Sequence, residues 1–236
     1  MEMPVERPVV EQACVELLKA NKMKHGYLRP LAFHGDGMMG LGSVTPVRVA
    51  VAAWEWGSYL GDEGIRNGVR AKVSSFTRMH VNVNLVRGKI TGQYTNSVLA
   101  KREVLLAGYQ EAILLDAQGF VAEGTGENIF MVKDDVIFTP PLSSPILKGV
   151  TRSSVIQILL DQGHEVRQTT FTRDSLYIAD EIFLTGTAAE ITPVREVDNR
   201  RVGTGKPGPI TRLVQDIYSK AVHAQESKYA SWLTRL

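Results

Sequence analysis

Residues 111–140 read EAILLDAQGFVAEGTGENIFMVKDDVIFTP. Four short runs, at 111–116, 120–124, 127–133 and 136–140, are rich in Ile, Leu, Val and Phe, and turn chemistry separates them at AQG and at DD. Short apolar runs bounded in this way predict strands joined as an antiparallel meander. Helical patterns flank them. Upstream, NSVLAKREVLLAG (96–108) offers Asn96 or Ser97 as a cap and Gly108 as a terminator. Downstream, LKGVTRSSVIQILLDQGH (147–164) predicts a helix starting at Gly149 and ending at Gly163. EVRQTTF then reads as a strand, TRDSLYIAD as a short capped helix and EIFLTGTAAEITPV as strand, glycine-threonine turn and strand. A last helix is expected near 207–225. Helices segregated from meandering strands predict an α+β fold.

Toward the amino terminus, PVVEQACVELLKAN (8–21) sets Val10, Cys14, Leu17 and Leu18 on one helical stripe, with Pro8 in the first turn. Strands are expected near 27–34 and 46–56, with HGDGMMGLG (34–42) as the loop between them, lacking both the GxGxxG spacing and the lysine of a P-loop. GVRAKVSSFTR, from Gly68, is a further strand-like stretch. The 27 basic and 25 acidic residues are scattered and form no basic run, so no nucleic-acid footprint is expected. No apolar stretch is long enough to span a bilayer, and the start is acidic and proline-broken, unlike a signal peptide. The single cysteine, Cys14, predicts a reducing compartment, with the cytoplasm as the default. Five dispersed histidines show no ligand spacing, so no metal is expected.

LVRGKITGQYTNS (85–97) places Lys89 between two glycines in a largely apolar or neutral segment. Lysines are usually solvated, and in isolation this one reads as a loop residue. A lysine in a partly apolar pocket loses its proton readily, however, and becomes a nucleophile for carbonyl compounds, which makes Lys89 a candidate Schiff-base residue. Pyridoxal phosphate would require three further groups: a phosphate site, a carboxylate at the pyridine nitrogen and a donor near the phenolic oxygen. Tyr94 lies close in the chain. Glu123 and Glu127 occupy VAEGTGENIF, where glycines can turn one carboxylate inward, although such a pattern alone more often marks solvated acids. KGVTRSS opens a helix at Thr151, and LTGTAAE supplies Gly186, Thr187 and successive backbone donors. Each of these alone is weak.

Together they form a pattern. YLRPLAF, WGSYLG, KITGQYTNSVLAKREVLLAGYQEAILLD, VAEGTGENIFMVKDDVIFTPP, KGVTRSSVI, SLYIADEIFLTGTAAEITPVREVD and GPITRLVQDIY follow one another from about residue 8 to 218. In order and spacing they resemble the branched-chain-amino-acid aminotransferases among the fold-type-IV pyridoxal-phosphate enzymes. The resemblance implies a small amino-terminal α/β domain, partly present in 1–63, and a large cofactor-binding domain, 64–236, with a barrel-like sheet and flanking helices. It also implies that Lys89 carries the cofactor and shuttles the α-proton, that Tyr94 holds the phenolic oxygen and Glu123 the pyridine nitrogen, and that Val150, Thr151, Gly186 and Thr187 bind the phosphate. Substrate recognition falls to Tyr27, Arg29, Trp56, Tyr59 and Ala188, with Arg29 receiving the second carboxylate of glutamate. A homodimer or larger homo-oligomer is implied as well.

The chain departs from the family at its start, which falls partway through the small domain. MEMPVERPVVEQACVELLKANKM looks like an internal helix, and no residue replaces the arginine by which the family clamps the phosphate. Gln93 stands where asparagine is common. The expected activity is amino transfer between leucine, isoleucine or valine and 2-oxoglutarate by a ping-pong route. A D-amino-acid aminotransferase, an aminodeoxychorismate lyase and a catalytically idle module of the same fold remain as alternatives.

Overall fold

The computed structural model describes residues 1–57 and 59–234. The chain forms two compact units, one ending at Gly57 and one reaching Thr234. In the first, α1 (Arg7–Ala20) precedes β1 (Tyr27–His34) and β2 (Val47–Trp54). The inward residues of α1 are Val10, Cys14, Val15, Leu17 and the buried Leu18, which include the whole apolar stripe read from the sequence. β1 and β2 pair antiparallel in a register running from Tyr27↔Trp54 to His34↔Val47. The Gly35 N–H donates to Pro46 O at 2.7 Å and closes the ladder at the loop end.

The second unit contains α2 (Gly61–Asn67), β3 (Val69–Val73), α3 (Tyr94–Leu106), β4 (Glu111–Leu115), β5 (Val121–Gly124), β6 (Asn128–Lys133) and β7 (Val136–Thr139). It continues with α4 (Val150–Asp161), β8 (Val166–Gln168), α5 (Arg173–Tyr177), β9 (Glu181–Gly186), β10 (Glu190–Val197), β11 (Arg200–Arg201) and α6 (Pro209–Val222). The strands form one sheet in the order β5-β4-β3-β10-β9-β6-β7-β8, with β11 on β10. The expected meander is therefore two hairpins, β4-β5 and β6-β7, lying in different parts of the sheet. The reason is local. After β5 the Gly124 N–H donates to Glu127 O at 2.7 Å, and this tight turn sends the chain to pair with β9 instead of back along β5. Strands joined by so short a turn but separated by four others in the sheet order require the sheet to curl toward a barrel.

One face of the sheet packs Val69, Ile113, Ile129, Leu176 and Leu184 into a core, while Phe130 and Phe183, stacked at 5.0 Å, pack with residues of α4 and α6 on the other. Aromatic pairs of this kind add about 0.5–1.5 kcal/mol beyond their area burial. The buried Glu181 carboxylate accepts the N–H groups of Ile210 at 3.0 Å and Thr211 at 2.8 Å, which satisfies the first turn of α6. α3 begins earlier than either expected cap, after a 3₁₀ turn at Thr91–Gln93. Asn96 instead donates to Thr77 O at 3.0 Å, and Ser97 is buried.

Candidate active site

The segment before α3 carries Lys89 and is held from beneath. Gln93 is buried, and its amide donates to Leu85 O at 2.7 Å and to Asn84 Oδ1 at 3.4 Å, fixing the turn that precedes Gly88. Lys89 lines two adjoining spaces in the second unit. The first is a narrow recess bordered also by Arg78, Tyr94, Ser97, Glu123, Glu127 and Asn128. The second is an open cavity of about 750 Å³ that includes Val150, Thr151, Gly186 and Thr187. The three residues expected around the cofactor ring thus share one recess, and the four expected around its phosphate share the cavity beside it.

Glu123 at the end of β5 is buried at 4% exposure, not solvated as its turn-like surroundings suggest. Its Oε2 accepts from Asn128 Nδ2 and from the Leu147 N–H, both at 3.1 Å, while Oε1 faces the Arg78 guanidinium at 2.8 Å. Burial pushes the carboxyl up to about 7, and the Arg78 charge and the Leu147 N–H pull against that rise. A carboxylate has about four lone-pair sites, so this one retains capacity for a further donor in the recess. At the cavity, no side chain among the described residues caps the first turn of α4, whose N–H groups suit an anion. The Thr151 hydroxyl lies 3.5 Å from that of Tyr218. Gly186 borders the same space, with Gly126 O 3.4 Å from where a Cβ would stand, an ordinary contact. An anionic group at one end and a protonated ring nitrogen at the other match this donor and acceptor set, so the residues fit pyridoxal phosphate.

Glu127 joins a second buried cluster. Glu111 accepts from the Thr125 hydroxyl at 2.6 Å and pairs with Lys101, whose ammonium lies 5.2 Å from the centre of the Tyr59 ring. Burial first, and then the charge of Glu111, push Glu127 up to about 8. Because this carboxyl ionises near 4.5 in an unfolded chain, the folded state holds more protons across that window, and stability falls as pH rises through it. Glu127→Gln should remove that component, so its urea midpoint should gain on the wild type between about pH 5 and pH 8.5. Identical pH slopes for the two proteins would count against a protonated Glu127.

Tyr59 donates its backbone N–H to Ala188 O at 3.2 Å, bringing together two of the expected substrate residues. Burial pushes the Tyr59 phenol up to about 12. The other three sit in the first unit, where Tyr27 meets Trp56 edge-on at 4.9 Å and Arg29 Cζ lies 5.3 Å from the centre of the Tyr27 ring. Sequence reading missed Arg78, Asn128, the Leu147 N–H and the Lys101–Glu111 pair. Arg78 closes the strand-like stretch GVRAKVSSFTR, and only its tertiary partner Glu123 reveals it. Among the described residues no cluster of potential metal ligands occurs.

The profile of the family described as Amino-transferase class IV matches residues 1–197. The chain belongs to the class IV aminotransferases. This aminotransferase is 43% identical over 235 residues to a branched-chain-amino-acid aminotransferase of Pseudomonas aeruginosa, covering 99% of the present chain and 76% of that relative. A solved branched-chain aminotransferase from the thermophilic archaeon Thermoproteus uzoniensis, with norvaline, superposes with a TM-score of 0.94 at 42% identity, covering 99% of this class IV aminotransferase and 77% of that chain. The branched-chain amino acid aminotransferase of Thermobaculum terrenum, solved in its PLP form, superposes with a TM-score of 0.91 at 36% identity, covering 98% and 76%.

Proposed function

We propose that the chain transfers an amino group between leucine, isoleucine or valine and 2-oxoglutarate, with pyridoxal 5'-phosphate as cofactor. The observation that carries the reading is the convergence of Lys89, Tyr94 and Glu123 on one recess beside the uncapped start of α4. When bound, the cofactor supplies an electron sink for the substrate α-carbon and stores the amino group between two half-reactions. Lys89 Nζ would hold the cofactor through its aldehyde carbon, and as a free amine would take the proton from the substrate α-carbon. The Tyr94 hydroxyl would donate to the phenolic oxygen and orient the ring. Glu123 would hold a proton at the pyridine nitrogen, and the α4 N–H groups with the 186–187 turn would anchor the phosphate.

Substrate recognition is assigned to Tyr27, Arg29, Trp56, Tyr59 and Ala188. Tyr27 and Trp56 offer apolar walls for a branched side chain, and the Arg29 guanidinium suits the second carboxylate of glutamate. We place the enzyme in the cytoplasm as a homo-oligomer. The lone cysteine fits a reducing compartment, and no helix among the described residues is long and apolar enough to cross a membrane.

The deciding assay offers leucine, isoleucine, valine and D-alanine separately with 2-oxoglutarate, and 4-amino-4-deoxychorismate alone. Glutamate formation with the three L-substrates, by parallel-line ping-pong kinetics, is expected. A higher kcat/KM for D-alanine, or pyruvate release from aminodeoxychorismate, would transfer the chain to another activity of the same fold. Cofactor binding without turnover would leave a binding module.

A further inference from the structure

Glu123 has a partner that the reaction outlined above does not use. Arg78, in the segment after β3, places Nη2 2.8 Å from Glu123 Oε1, and the two side chains are only 8% and 5% exposed. Arg78 is fixed from two other sides: its backbone N–H donates to Leu115 O at 2.7 Å, and its Nη1 donates to Ser97 Oγ on α3 at 3.3 Å. Its Nε has no hydrogen-bond partner among the described residues. A guanidinium brought into a dry site with one donor unused is placed for the group it does contact, since an orphaned buried donor carries a desolvation cost of its own.

A carboxyl so deeply buried tends to keep its proton, and a neutral acid holds a pyridinium far less well than a carboxylate does. The charges acting on Glu123 are Arg78 and Arg152, which favour ionisation, and Glu127, which shares its buried surroundings. Arg152 is directed elsewhere, donating to Pro140 O at 2.9 Å and to Gln168 Oε1 at 3.0 Å. Arg78 is the cation in direct contact.

We propose that Arg78 is the positioning residue that keeps Glu123 anionic and aimed into the recess, so that the site selects a ring bearing a protonatable nitrogen. The proposal rests on the reading of Glu123 as the partner of the pyridine nitrogen. In this role Arg78 acts through Glu123, from the wall of the same recess. Removing it leaves an uncompensated buried carboxyl, which takes up a proton.

The test compares the apoprotein's dissociation constants for pyridoxal 5'-phosphate and for its 1-deaza analogue, in which C–H replaces the ring nitrogen. Titrations at pH 8 follow absorbance, with the thermal midpoint recorded for every variant. Wild type should prefer the pyridine compound by at least about tenfold, the scale of one charged hydrogen bond. Arg78→Gln and Glu123→Gln should each bind the two aldehydes within about twofold of one another. An Arg78→Gln protein that binds both more weakly but keeps the wild-type ratio has lost only scaffolding, and the proposal is overturned while the Glu123 reading stands. Equal binding of both aldehydes by wild type would overturn the Glu123 reading and the proposal with it. If Arg78→Gln does not fold, Arg78→Lys decides. A retained cation should preserve a ratio above about threefold, and a folded Arg78→Lys protein with the ratio of Glu123→Gln would overturn the proposal.

Discussion

Lys89→Ala should leave a folded protein in which leucine no longer drives amino transfer, the single-turnover rate falling by at least about a thousandfold. Two functions disappear together in that variant. On the proposed roles, the covalent tie to the cofactor would be lost together with the amine that moves the α-proton; proton transfer by a positioned side chain alone contributes about 10² to 10⁴. Folding should be spared, because Lys89 projects from an exposed turn whose geometry depends on Gln93 and Leu85. The measurement is the absorbance of the cofactor-loaded protein after leucine addition. A rate within tenfold of wild type would assign the proton transfer to another group in the recess, with Tyr94 the first to examine.

Gly149→Ala is expected to be the most damaging small substitution near the site. Gly149 caps α4 at φ +55°, and a Cβ there would lie 2.0 Å from Asn128 Oδ1. A left-handed backbone costs a non-glycine residue about 1–2 kcal/mol, and forcing a methyl into filled space adds about 1–3 kcal/mol. The loss should therefore fall at roughly 2–5 kcal/mol, read from urea denaturation. Gly163→Ala provides the control, since Gly163 has φ +80° but nothing within 4 Å of the added Cβ. It should lose only about 1 kcal/mol. The two variants should also differ in cofactor affinity, because displacing Asn128 disturbs its 3.1 Å contact with Glu123. Equal stability losses would show that the clash relaxes freely.

The turn chemistry of this chain made most elements legible. Gly108 and Gly163 end helices with positive φ, and Asp134 and Asp135 make a left-handed turn between strands, as residues of these types tend to. Pairing was less legible. Nothing local states that β3 lies beside β10, or that β5 and β6, adjacent in sequence, occupy separate parts of one sheet. The helix before Val69 and the pair β10-β11 also went unread, the first because GDEGIRN has no apolar stripe and the second because its outer strand is two residues long. At the candidate site, residue types pointed to Lys89 and Tyr94, but VAEGTGEN looked solvent-facing, and only tertiary neighbours such as Arg78 and the Leu147 N–H, distant in sequence, show Glu123 to be buried. Arg78 carried no signal of its own.

The position of β3 also bears on how the chain must be made. It pairs in parallel with β4 on one side and with β10 on the other, Val69 lying opposite Val194. Nearly 120 residues separate the end of β3 from the start of β10. At about 5–20 residues per second, the ribosome needs roughly 6–24 seconds to deliver the missing neighbour. Throughout that interval one edge of β3 has its ladder groups unpaired, with Val69, Ala71 and Val73 awaiting their core. The nascent chain therefore presents an adhesive strand well before the sheet can be completed, and the yield of folded protein should depend on holdase chaperones and on translation speed between residues 73 and 190.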